Sequence, residues 1–182
     1  MTCECCGLQL ESRAGTRFCS TACRVRSHRG ALVPLRMRRA PRWIRHRAKV
    51  PKTITGRPAS STNPATWSTF DQARACDVGD GLGFVLAADG IACIDLDHCL
   101  EGGVLAGWAR DVLDMAGPTF VEVSPSGTGL HVFGLGSVGK GFRRDGVEAY
   151  DRGRYMTITG RRFEGAPVRL GRIQYALDAI RA

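Results

Sequence analysis

The stretch GLGFVLAADGIACIDLDHC, Gly81 to Cys99, decides the fold. Leu82 to Leu86 reads as a β-strand, Ala88-Asp89-Gly90 as a turn, and Ile91 to Asp97 as a second strand. The two are expected to pair as a hairpin. Asp95 and Asp97 lie two apart in the second strand, and side chains at i and i+2 of a strand share a face. Two carboxylates on one face of an otherwise apolar strand repel each other unless something positive stands between them. A divalent cation is the natural solution, and hard oxygen ligands favour Mg²⁺ or Mn²⁺.

Downstream, a helix is expected from about Gly103 to Ala116, with Leu105, Trp108, Val112, Leu113 and Met115 on its apolar face. Gly117-Pro118 closes it in the usual order. Thr119 to Val123 reads as a strand, SPSGTG (124–129) as a tight turn, and Leu130 to Gly134 as a strand with His131 near its start. Glycine turns let backbone amides approach phosphate oxygens, and a histidine at the strand start can donate to a triphosphate. A basic glycine-rich loop follows, with Lys140, Arg143 and Arg144. Val147 to Tyr150, carrying Glu148, and Tyr155 to Thr159 are two more strands. A third acid completes a carboxylate cluster able to hold two cations for an in-line displacement. The tail from Arg169 to Arg181 has helical periodicity.

Upstream, Asn63-Pro64 is an N-cap with proline at the first helical position, so 64–75 is expected to be a helix. Arg24 to Arg57 holds twelve Lys or Arg and no acid, interrupted by Pro34, Pro41 and Pro51. It reads as a basic linker suited to phosphate contact, with His46 solvated and Trp43 a candidate base-stacking residue. Trp67 and Trp108 read as core, as do the thiols of Cys76, Cys93 and Cys99. At the N-terminus, Cys3-x2-Cys6 and Cys19-x3-Cys23 form two thiolate pairs that can close on one tetrahedral Zn²⁺. Cys5 and His28 are alternative ligands. So short a module would draw its folding energy from the metal. The organisation expected is a zinc module over 1–29, a basic linker over 30–57 and a catalytic domain over 43–182.

Formal net charge is +9 and pI about 9.6, which points to a polyanionic partner, nucleic acid before membrane. No run of eighteen apolar residues exists, and the N-terminus lacks the apolar core of a secretory signal. A cytoplasmic location is therefore expected, where clustered cysteines bind metal rather than form disulfides.

Residues from about Trp43 to Gly160 resemble the primase-polymerase domains of the archaeo-eukaryotic primase superfamily, in particular those of phage and plasmid replication proteins. Ile94-Asp95-Leu96-Asp97 is similar to the family's acidic pair, Ser126-Gly127-Thr128-Gly129-Leu130-His131 to its second motif, and Val147-Glu148 to its third. Arg154-Tyr155 to Thr159-Gly160 resembles the family's ending. The resemblance implies an α/β (α+β) fold with an RRM-like mixed catalytic sheet and flanking helices. It implies that Asp95, Asp97 and Glu148 bind two catalytic Mg²⁺ or Mn²⁺ ions. It implies that His131, helped by Ser126 and the amides of Gly127 and Gly129, contacts the nucleotide's phosphates. Lys52, Arg152 and Arg154 are further candidates for nucleotide or template contact. The activity implied is template-directed nucleotidyl transfer on single-stranded DNA from nucleoside triphosphates, making or extending primers. Relatives are often fused to a helicase. This chain ends at Ala182, so a stand-alone enzyme or one with a separate helicase partner is expected. The alternatives are a zinc-containing DNA-binding initiation module without catalysis, or a metal-dependent phosphoesterase.

Overall fold

The computed structural model describes residue 9 and residues 17–25 and 32–182. The body is a mixed α+β unit with two sheets at its centre, antiparallel except where β12 runs parallel to β8. In chain order it runs α1 (Leu35–Arg39), β1 (Trp43–Arg47), β2 (Val50–Lys52), a 3₁₀ turn (Pro64–Thr66) and α2 (Phe70–Ala75). Then come β3 (Gly81–Ala87), β4 (Ile91–Leu96), the short pair β5 (Leu100–Glu101) and β6 (Val104–Leu105), and α3 (Gly107–Ala116). β7 (Phe120–Val123), β8 (Leu130–Leu135), β9 (Phe142–Arg144), β10 (Val147–Tyr150), β11 (Arg152–Ile158), β12 (Gly171–Arg172) and α4 (Gln174–Arg181) complete it.

The expected hairpin of β3 with β4 does not form. β3 lies between β1 and β11 in a four-stranded sheet, order β11-β3-β1-β2. β4 lies between β8 and β10 in the other, order β12-β8-β4-β10-β9, with β7 on β8. The turn at 88–90 carries the chain from one sheet to the other, and the step from β10 to β11 carries it back. The two crossings touch: the amide of Ala88 donates to the carbonyl of Asp151 at 2.7 Å. Both strands are apolar on both faces, which is what a strand between two layers requires. That pattern fixes burial and leaves the pairing partner open.

Alternation along the second sheet decides what each face meets. Ala92, Ile94 and Leu96 of β4, Val121 of β7, Leu130 and Val132 of β8 and Ala149 of β10 pack under α3 and α4. The opposite residues, Ile91, Cys93, Phe120 and Phe133, pack against Trp43, Phe84, Leu86 and Met156 of the first sheet.

The basic stretch from Leu35 onward is folded rather than a linker. Trp43 is wholly buried, its ring edge-on to Phe70, its indole N–H donating to the Met37 carbonyl. Base stacking by Trp43 is therefore ruled out. His46 is buried too, not solvated. Trp67 is half-buried, whereas Trp108 is exposed on α3, whose inner face is Ala109, Val112 and Ala116.

The helix expected over 64–75 breaks in two. Asn63 caps only a 3₁₀ turn, and Thr69 with Gln72 forms a fresh capping box for α2. The helix before Gly117 is shorter than expected because Leu100–Leu105 forms the β5–β6 pair. Gly117 ends it with φ 64°, a conformation that favours glycine. Among the described residues no helix is long and apolar enough to cross a membrane.

Candidate active site

The face of the second sheet that begins with Ile91, Cys93, Phe133 and Phe120 continues into charge. Asp95 follows Cys93, His131 precedes Phe133, and Glu122 follows Phe120 on the same sides of their strands. Register aligns them: Arg143 of β9 opposite Glu148 of β10, Glu148 opposite Asp95 of β4, Asp95 opposite His131 of β8, His131 opposite Glu122 of β7. Five strands thus contribute one polar row across the sheet.

The contacts follow that order. Arg143 Nε meets Glu148 Oε1 at 3.0 Å, and its Nη2 stands 4.0 Å from Asp97 Oδ2. His131 Nε2 is 3.7 Å from Asp95 Oδ1, and its Nδ1 is 3.4 Å from Glu122 Oε1. Tyr150 Oη donates to Glu148 Oε2 at 2.8 Å, and Arg154 Nη2 donates to Tyr150 Oη at 3.2 Å. Asp97 is not on the strand, which ends at Leu96. It occupies the turn beyond, where its amide donates to the Gly146 carbonyl at 2.8 Å.

The electrostatics bear the mark of crowded acids. Burial raises the Asp95 carboxyl above the ordinary range and the charges of Asp97 and Glu148 add to it, while His131 and Lys49 pull the other way without cancelling the rise. Burial pulls His131 down, but its bond to Glu122 and the charges of Asp95 and Glu122 more than reverse that. Its pKa lies above the usual value. Among the described residues, no three His, Cys, Asp or Glu side chains stand close enough to hold one metal ion as placed. The Arg143 guanidinium lies at the acids instead. The donor set of three carboxylates and no thiolate is nonetheless that of a hard divalent cation, and a cluster that raises Asp95 is one a cation would relieve.

The turn 124–129 sits against this row. Ser126 Oγ is 3.0 Å from both Ser124 Oγ and Thr128 Oγ1, and the Gly127 amide donates to the Ser124 carbonyl at 3.0 Å. Gly129 has to be glycine: a Cβ there would lie 2.7 Å from the Leu96 carbonyl oxygen. That close approach seats the turn beside Asp97.

Asp95, Glu148, His131 and, through Arg143, Asp97 are thus brought together, and Arg154 joins through Tyr150. Arg152 is engaged elsewhere, its Nε on Asp151 at 2.9 Å. Lys52 lies on the edge strand β2; the lysine whose charge reaches Asp95 is Lys49, in the turn between β1 and β2. Sequence reasoning passed over Glu122, although a single acid inside the apolar strand FVEV is a readable signal. Lys49 carried none, being one cation in a run of many. Of the predicted zinc ligands, Cys19 and Cys23 have their sulfurs 3.4 Å apart. Cys3 and Cys6 lie outside the described residues, as do Cys5 and His28 and most of 1–29. A cavity of about 740 Å³ bounded by His46, Arg74, Asp80, Thr157 and Arg161 is lined by none of Asp95, Asp97, Glu122 and Glu148.

No protein-family model matches the chain. Among curated proteins it is similar to the DNA primase-polymerase of Nitratiruptor phage NrS-1, with 41% identity over 138 residues. The alignment covers 68% of this chain and 19% of the phage protein, so the chain spans about a fifth of its relative's length. The aligned part of the chain belongs to the primase-polymerase family of that phage protein.

Proposed function

We propose that this chain is a template-directed nucleotidyltransferase acting on DNA, using nucleoside triphosphates to make or extend primers. The observation that carries the reading is the register that lines up Glu148, Asp95 and His131 on one face, in a chain related to a primase-polymerase. In such a reaction a 3′-hydroxyl attacks the α-phosphorus of the incoming nucleotide in line and pyrophosphate leaves. Negative charge then grows on the phosphoryl oxygens.

Asp95, Asp97 and Glu148 would hold two Mg²⁺ or Mn²⁺ ions, which when bound lower the hydroxyl's pKa and neutralise the developing charge. His131 directs Nε2 toward the phosphates from within the sheet. Ser126 and the amide of Gly129 are the turn's groups offered to phosphate oxygens, and the Gly127 amide would join them on leaving the Ser124 carbonyl. Lys49 and Arg154 add positive charge at the rim. Arg143 is 71% exposed and has room to turn from the acids to the triphosphate. Lys52 on β2 and Arg152, paired with Asp151, are the further cations offered for template contact. In the zinc module, two thiolates on one tetrahedral ion stand somewhat under about 4 Å apart. The Cys19–Cys23 separation of 3.4 Å is compatible with a site shared with Cys3 and Cys6. A helicase is the partner this activity would need to open duplex.

The test is incorporation of labelled nucleotides on single-stranded DNA, with and without an annealed primer, in Mg²⁺ or Mn²⁺. Template-dependent products that vanish in Asp95→Ala/Asp97→Ala are expected. DNA binding without products under any metal would replace this reading by that of a binding module.

A further inference from the structure

We propose that Glu122 is the positioning residue of the site, fixing the ring of His131 so that Nε2 faces Asp95 and the reacting phosphates. The proposal rests on the nucleotidyl-transfer reading above. Glu122 is completely buried, and a buried carboxylate is tolerated only where donors satisfy it. Three do. The amide of Thr159 donates to Oε1 at 3.1 Å and to Oε2 at 3.2 Å, and the amide of Gly160 to Oε2 at 2.9 Å. The third is His131 Nδ1, at 3.4 Å from Oε1.

The two amides are themselves held. Thr159 Oγ1 donates to the Val123 carbonyl at 2.7 Å, the Val123 amide donates to Arg161, and Gly160 takes φ 66°. The carboxylate is therefore clamped from behind by backbone and meets the imidazole from the front. A histidine's free edge is set by the bond that its other nitrogen makes. With Glu122 as acceptor, Nδ1 carries the proton in either charge state of the ring, and Nε2 is the edge left for chemistry. Supports of this kind around reactive histidines are worth on the order of 10–100-fold in function.

The test has one readout independent of catalysis. In ¹⁵N-labelled full-length protein, long-range ¹H–¹⁵N spectra of His131 are expected to show a proton on Nδ1. A ring protonated only on Nε2 overturns the proposal without any variant. In Glu122→Gln the amides of Thr159 and Gly160 retain an oxygen acceptor and the new NH₂ meets Nδ1. The proton is then expected to move to Nε2, and kcat/KM for nucleotide to fall roughly 10–100-fold with affinity for primer-template unchanged. In a His131→Ala background the same change should cost nothing further, because Glu122 acts through the ring. Unaltered His131 signals in a folded Glu122→Gln protein, or an equal loss in both backgrounds, overturn the proposal. Absence of activity in the wild type, with Nδ1 protonated, would instead remove the nucleotidyl-transfer reading and leave the clamp standing.

Discussion

The two sheets bury polar side chains in opposite ways. In the second sheet Glu148, Asp95, His131 and Glu122 meet one another across adjacent strands, and their charges are only partly settled. In the first sheet the buried cations settle on groups that do no chemistry. Arg45 donates to the carbonyls of Val78 and Ala73 at 2.6 and 3.3 Å. Arg42 lies over the Phe84 ring at 4.7 Å and pairs with Asp89 at 2.9 Å. A buried charge thus marks a site only when its partners are other side chains on one face. When its partners are backbone carbonyls, it holds neighbouring segments together.

The comparison breaks most sharply at Asp95. Asp95→Asn should lower incorporation at least about a thousandfold while leaving the fold intact. Its carboxyl is raised in the folded state, so any stability it contributes is present at low pH and declines as pH rises through the folded pKa. At neutral pH the variant should accordingly unfold at no lower urea concentration than the wild type. The mirror experiment is Arg45→Met, which leaves the Val78 and Ala73 carbonyls without their donor. It should cost about 3 kcal/mol in urea unfolding with little change in nucleotide KM. An Arg45→Met protein that is stable but inactive would erase the distinction between the sheets.

Asp151, at the crossing between the sheets, should behave as a holder of loops. Burial pushes its carboxyl up, but Arg152, the amides of Val138 and Gly139 and the Ser137 hydroxyl outweigh that and hold it at about 2. Its contribution is present above about pH 4, where unfolded aspartates are ionised, and is lost as pH falls toward 2. Asp151→Asn should cost about 2 kcal/mol at pH 7 and nothing near pH 2, read from urea midpoints across that range. The smallest effect belongs to the surface. Arg110 and Glu164 make a two-pronged pair at 2.9 and 2.8 Å on the exposed surface. Arg110→Ala should leave the urea midpoint where it was.

Sequence reading located the strands around Asp95, His131 and Glu148 because apolar alternation and glycine turns are local signals. It misplaced the partner of β3, since a strand that is apolar on both faces says that it is covered and not by what. It took the helix over 64–75 as continuous because Asn63-Pro64 is a good start, and Thr69 supplies a second start that outcompetes it. It read Arg42, Arg45, His46 and Trp43 as a solvated, phosphate-facing run because composition counts charges without their partners. The acids of the site were legible by type. Their order across the sheet, with Glu122 at its end, is a matter of register, which only the paired strands reveal.

One consequence concerns motion. β11 is tied to the opposite sheet at both ends, through Asp151, which joins it directly to β10 at its start, and through Thr159 and Gly160 on Glu122 at its finish. A strand pinned at one end is a hinge, whereas one pinned at both is a crossbeam. Two sheets joined in this way form one frame, and in the proposed reaction a nucleotide and its template would be admitted by fit rather than by closure.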